Sequence, residues 1–173
     1  MINPEIDGHA MADIMIRKRK RMKVKEIRVY SKGLEEIFGV PVFTEDEPVD
    51  FAESSEFDLL FAGNDIVGLV HEGRPFLTVR GLIRYRPERR AVTVDMGAVP
   101  FISKGADCMG PGIVDADPGI EAGDLVWIRD VRNRVPLAVG ISERSGAELT
   151  EKGPGKAILS LHHVGDKLWK TGE

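Results

Sequence analysis

The stretch VDMGAVPFISKGADCMGPGIVD, from Val94 to Asp115, decides how the rest of the chain is read. It opens at the end of a short apolar strand, holds four glycines, sets Pro111 between two of them and contains the only cysteine. GAVPFISKG, Gly97 to Gly105, predicts one or two helical turns closed by Gly105 in the left-handed conformation that favours glycine. Glycines behind a strand raise the question of a phosphate cradle. A dinucleotide site needs G-x-G-x-x-G between a strand and a long helix whose N-terminus meets the pyrophosphate. Here Gly97, Gly105, Gly110 and Gly112 are spaced differently, no long helix follows, and no Gly-Lys-Ser/Thr ends a P-loop. The nearest approach, Gly155-Lys156-Ala157, enters a strand. Both nucleotide readings are excluded. What remains is a glycine-dense surface where exposed N–H groups and the point charges of Lys104 and Lys156 can meet phosphate oxygens. Glycines that merely make turns are the plainer alternative.

Around this stretch the C-terminal half reads as short strands separated by glycine turns. AVTVD is one; LVWIRD and VPLAVGIS are two more, joined by a turn at Arg132-Asn133-Arg134; KAILSLHHV alternates as a last. That pattern predicts a small barrel or sandwich. His162 and His163, adjacent on a strand, point to opposite faces, and with His9 and His71 scattered elsewhere they offer no metal spacing. Asp95, Asp107, Asp115, Asp117 and Asp124 each flank a glycine, a strand end or a turn, where aspartate caps backbone groups. Cys108 reads as a small buried hydrophobe, and Trp127 and Trp169 as core or end-closing residues. No nucleophile elbow or Ser-x-x-Lys pattern occurs. The expectation is a chain with no catalytic residue, no metal and no cofactor.

The N-terminal half has a different character. Residues 1–15 read as a poorly ordered extension. Next, Arg17, Lys18, Arg19, Lys20, Arg21, Lys23 and Lys25 fall within nine positions. Ile27, Tyr30, Leu34, Ile37 and Phe38 then recur at helical spacing, with Gly39 and Pro41 as stop signals. From Glu35 to Asp58 there are nine acidic residues and no lysine or arginine, so basic and acidic segments can pair across the fold. FDLLFAGNDIVGLVHEGRPFLTV, Phe57 to Val79, reads as an antiparallel meander, and LIRYRPERR closes this half with Pro87 in a charged turn. The expected organisation is residues 1–15 as extension, 16–90 as a small α+β domain with an antiparallel sheet, and 91–173 as a second domain.

The 173 residues have a net charge of −4, with 42% hydrophobic and 30% charged residues, which excludes a histone-like polycation. No apolar run approaches the roughly 20 residues of a membrane helix, and the N-terminus lacks a signal-peptide core. A cytoplasmic location without membrane contact is expected. The absence of glutamine, with asparagine only at positions 3, 64 and 133, is compatible with heat adaptation.

Five segments in order, VTVDMGA (from Val92), SKGADCMGPGI (from Ser103), AGDLVWI (from Ala122), PLAVGIS (from Pro136) and GKAILSLHHVGDKLW (from Gly155), resemble the PUA domain. That RNA-binding module is named after pseudouridine synthases and archaeosine transglycosylases. Upstream, HEGRPFLTVRGLIRYRPERR running directly into VTVDMGA resembles the malignant T-cell amplified sequence family and its archaeal relatives, from about Arg17 onward. The resemblance implies an α+β fold overall, an N-terminal α+β domain followed by a PUA pseudo-β-barrel. It implies RNA binding without catalysis, in translation, on rRNA, tRNA or the small ribosomal subunit during initiation or recycling, alongside a density-regulated-type partner protein. A targeting subunit for a tRNA- or rRNA-modifying enzyme is the alternative. Carried over by position, the RNA-facing residues are Lys104, Gly105, Ala106, Pro111 and Gly112, completed by Gly155 and Lys156; the basic segment Arg17 to Lys25 is a second candidate contact. Residues 91–173 hold 9 Lys+Arg against 12 Asp+Glu, so binding there is expected to be selective rather than broadly electrostatic.

Overall fold

The computed structural model describes residues 14–44 and 47–171; most of the extension read at 1–15 lies outside them. The first half forms a five-stranded antiparallel sheet in sequential order: β1 (Ile16–Arg21), β2 (Val49–Ser54), β3 (Asp58–Ala62), β4 (Asp65–His71) and β5 (Arg74–Leu77). The meander is therefore present, with tight turns at Gly63 and Gly73, both at positive φ. Between β1 and β2 runs α1 (Val24–Phe38). Its apolar face buries Leu34 and Phe38 and half-buries Ile27, Tyr30 and Ile37, the residues whose spacing predicts it. Phe38 meets Phe76 of β5 with ring centroids 4.7 Å apart. Burying a ring of this size stabilises by about 1.5–3 kcal/mol. At its end Gly39 (φ 75°) returns its N–H to the Glu35 carbonyl.

Here the structure departs from the reading of Phe57 to Val79 as continuous meander. The last strand stops at Leu77, and Val79–Tyr85 is a helix, α2. Thr78 explains the switch: its Oγ1 accepts the Gly81 N–H at 3.1 Å and donates to the Ile66 carbonyl at 2.7 Å, an N-cap tied into β4. A Cβ at Gly81 would run into the Val67 carbonyl oxygen, so glycine lets this helix lie flush on the sheet. Arg86 (φ 50°) and Pro87 end it.

The second half is a six-stranded sheet ordered β7-β11-β10-β9-β6-β8. Its strands are β6 (Ala91–Val94), β7 (Cys108–Met109), β8 (Ile113–Ala116), β9 (Leu125–Asp130), β10 (Pro136–Ser142) and β11 (Lys156–His163). Only the β6–β9 pairing is parallel. Short helices α3 (Val99–Ile102) and α4 (Gly146–Thr150) lie between these strands, and α5 (Lys167–Thr171) follows β11. The whole is α+β, a five-stranded antiparallel sheet followed by a mostly antiparallel six-stranded β domain.

One apolar core spans the join. Ala91, Leu125, Trp127, Val139 and Leu168 belong to the same cluster as the first sheet's interior, while Val92, Ile113, Ile128 and Ile158 centre a second. The paired histidines do divide between inside and outside. His162 is buried: its Nε2 accepts the Val79 N–H at 3.1 Å, and its Nδ1 lies 2.9 Å from Asp166. Burial raises the Asp166 carboxyl, but bonds from His162 and from the Trp169 and His163 N–H groups outweigh it and hold the group below its ordinary value. Asp166 thereby links β11 to the start of α5. Trp127 is buried with its indole N–H on the Arg89 carbonyl, and Trp169 lies half-buried beneath the Arg80 guanidinium at 4.0 Å. The far end of α5 holds Ile14, whose N–H donates to Thr171 Oγ1 at 3.0 Å.

Candidate nucleic-acid interface

Strand β6 hands over to the glycine-dense stretch through Asp95. Its Oδ1 accepts the Ala98 N–H at 2.9 Å and its own N–H donates to the Gly112 carbonyl at 3.0 Å, drawing the two glycine turns together. After α3, the N–H groups of Lys104, Gly105 and Ala106 fold back onto Phe101 and Ile102 carbonyls at 3.0–3.1 Å. Gly105 has φ +98°, and a Cβ there would stand 2.9 Å from His163 Nε2. Asp107 then accepts the Ser160 N–H at 2.8 Å and pairs with Lys156 Nζ at 3.3 Å.

The facing turn, 153–156, is shaped by Arg144. Its guanidinium donates to the carbonyls of Gly153, Pro154 and Lys156 at 2.9, 2.7 and 3.3 Å. Gly110 donates to Gly155 O at 2.9 Å, and a Cβ on Gly110 would overlap the Gly153 carbonyl oxygen. The glycines at 105, 110 and 155 are thus required by conformation or close approach.

All seven residues expected to face RNA lie at the surface of this one region. Lys104, Ala106, Pro111, Gly155 and Lys156 are exposed, and Gly105 and Gly112 half-buried. They do not line a single groove. Ala106, Pro111, Gly112 and Lys156, with Phe101 and Met109, line an apolar hollow of about 510 Å³. Lys104 and Gly105 instead wall a polar hollow of about 520 Å³ with His163, Lys167 and Lys170. Gly155 borders neither. The idea that the loop offers free N–H groups needs correcting: those of residues 104–106 are used within α3 and its cap, so charge must come from side chains. Sequence reasoning missed Phe101, 67% exposed, and Met109, 48% exposed. α3 buries Ile102 and expels Phe101, and VPFIS, apolar at both positions, carries no signal that tells them apart.

The basic segment is organised differently. β1 is an edge strand in which Arg17 and Lys18 each reach Glu53 at 3.9 Å, while Arg19 and Arg21 bracket Asp50 at 2.8 and 2.6 Å. The Arg21 hydrogen bond, with that of Arg19, holds the Asp50 carboxyl below its usual value against some desolvation. Arg19 also stacks over Phe61 at 3.9 Å. Among the described residues, Lys20, Lys23 and Lys25 have no carboxylate at ion-pair distance.

Candidate reactive groups are occupied. Burial pushes the Cys108 thiol up to about 12. Asp95, Asp107, Asp117 and Asp124 accept backbone N–H groups, as expected of caps. Among the described residues no group of three or more His, Cys, Asp or Glu is arranged to hold a metal ion, and no helix is long and apolar enough to cross a membrane.

Known proteins fit this geometry. The PUA domain family matches residues 90–164. An uncharacterised protein of Methanocaldococcus jannaschii is 35% identical over 156 residues, covering 89% of this chain and 96% of its own. Translation machinery-associated protein 20 of Schizosaccharomyces pombe is 31% identical over 112 residues; the match spans 62% of each chain, just under two thirds of that relative's length. Among solved structures, a hypothetical protein of the hyperthermophilic archaeon Pyrococcus horikoshii superposes with a TM-score of 0.79 at 30% identity, covering 90% of this chain and all of its own.

Proposed function

Because this chain belongs to the malignant T-cell amplified sequence family of PUA-domain proteins, we propose that it binds rRNA or tRNA through its C-terminal face and serves translation on the small ribosomal subunit without catalysing a reaction. The PUA domain is an RNA-binding module, and the fission yeast relative is named for its association with the translation machinery. The observation that carries the reading is the pairing of shape with charge. Lys104 and Lys156 stand exposed on one face whose backbone is held by Arg144 and by glycines at 105, 110 and 155.

In this reading the apolar hollow takes unstacked bases against Phe101 and Met109, where a base–aromatic contact is worth about 1–3 kcal/mol. The lysines meet phosphates. Lys104 contributes more than Lys156, whose charge is partly offset by Asp107. Initiation or recycling is the step proposed, with a density-regulated-type protein as partner. The non-catalytic role is supported by the sealed Cys108 and by His162, engaged at both ring nitrogens.

The test is binding of small ribosomal subunits and of tRNA across a salt series. Lys104→Ala with Lys156→Ala should shallow the logarithmic salt dependence by about 1.4, at about 0.7 per single-strand phosphate contact. Unchanged binding by the double variant at every salt concentration overturns the proposal.

A further inference from the structure

We infer that the polar hollow beside the glycine loop is a phosphate site in its own right, where the RNA strand continues from the apolar hollow onto the C-terminal helix. The inference rests on the RNA reading above and extends it. The two hollows share one wall, the loop 104–107, and differ in chemistry. One is built from Phe101, Met109, Pro111 and Ala106; the other presents the side chains of Lys104, Lys167 and Lys170. A single strand has the same division, with bases on one side and phosphates on the other.

The three ammonium groups are available. Among the described residues none of them has a carboxylate within ion-pair distance, in contrast to four of the cations on the edge strand. Two carboxylates do line the hollow. Asp166 is turned to His162 Nδ1 and to the N–H groups of His163 and Trp169, all at 2.9 Å. Glu56, on the turn between β2 and β3, is exposed, and among the described residues its carboxylate has no partner. Three unpaired cations therefore face one unpaired anion. The floor is kept open by Gly105, since a side chain there would press on His163, whose ring is fixed by Nδ1 at 2.8 Å from the Val164 carbonyl. The volume, about 520 Å³, falls within the range of about 300–1,000 Å³ typical of ligand sites. Lys167 and Lys170 escape the sequence reading because they lie more than sixty positions from Lys104; a strand and a five-residue helix bring them together.

The experiment uses the full chain and bulk tRNA, followed by fluorescence anisotropy from 50 to 200 mM salt. Lys167→Ala with Lys170→Ala should lower the salt slope by about 1.4, so its loss of affinity is roughly sevenfold larger at the low-salt end than at the high. Glu56→Gln should tighten binding. Melting temperatures should stay unchanged, because both lysines leave Leu168 buried and Trp169 stacked. Lys156→Ala, which touches only the apolar hollow, serves as the reference. If it lowers the slope and the Lys167/Lys170 variant does not, the phosphate site is refuted alone. If neither does, or the wild type fails to bind, the RNA reading falls with it. Saturation of the lysine signals by low-millimolar inorganic phosphate, with an unchanged tRNA slope, would assign the hollow to a free anion and overturn the inference.

Discussion

The edge strand β1 and the C-terminal face carry the same kind of charge under opposite conditions. Seven cations crowd positions 17–25, whereas the face around Gly105 presents Lys104 and Lys156, with Lys167 and Lys170 beside them. The crowded segment is the more neutralised one. β2 lays Asp50 and Glu53 against Arg17, Lys18, Arg19 and Arg21, while among the described residues Lys156 alone of these four C-terminal lysines has a carboxylate partner. Density of lysine and arginine along a sequence measures charge, not its availability. What distinguishes the C-terminal face is shape, since glycines let two turns close on each other and Arg144 fixes the second.

The strongest way to break the comparison is to spoil that shape. Gly110→Ala forces a methyl group onto the Gly153 carbonyl, where both atoms belong to backbone and neither can move cheaply. A loss of about 3 kcal/mol is expected in denaturant unfolding, with RNA binding lost in parallel. Gly73→Ala is the control. Gly73, unlike Gly110, has positive φ, but nothing lies within 4 Å of the added Cβ, so only the conformational cost of about 1–2 kcal/mol applies. Equal effects at the two sites would show that crowding at Gly110 does not hold the face together.

A smaller effect is expected from Asp166, which positions the helix bearing Lys167 and Lys170. Asp166→Asn should destabilise the protein at neutral pH by about 1.5–3 kcal/mol, the worth of hydrogen bonds to a charged group. The carboxyl is held below its unfolded value of about 3.9, so its contribution is present above that pH. It disappears as pH falls through the lower folded value. The gap between wild type and variant should therefore be flat from pH 6 to 8 and close below about pH 4. A gap that persists in acid would place the stabilisation elsewhere.

How much of this could be read in advance depends on the distance over which the cause acts. α1 was legible because its apolar residues recur at helical spacing, and Gly105 because a left-handed cap has a local signature. α2 was not: PFLTV alternates like a strand, and only the position of Ile66 reveals Thr78 as a cap. α4 had a signal that went unused, since Ser145 and Glu148 form a reciprocal capping pair at 2.9 and 3.2 Å. Strand β7 has two residues, too few for any period to show. At the site, the family resemblance nominated seven positions, and nothing in the sequence foretold their division between two hollows. That division depends on how β11 and α5 pass behind the loop.

The smallest expected effect belongs to the crowded strand itself. Arg19→Ala with Arg21→Ala should cost about 0.2–1 kcal/mol per exposed pair and lower the salt slope for small-subunit binding by less than the Lys104/Lys156 variant does, because Asp50 already occupies both guanidinium groups. Lys20→Ala, Lys23→Ala and Lys25→Ala together should lower the slope more than that pair, although they remove no ion pair and leave the melting temperature in place. Asp50→Asn decides between availability and number. It adds no cation and frees two, so tighter small-subunit binding with slightly reduced stability means that β1 lies against the ribosome and β2 holds it in check. If Asp50→Asn leaves binding unchanged while Lys104→Ala weakens it, the pairing of β1 with β2 is structural, and the C-terminal face alone meets RNA.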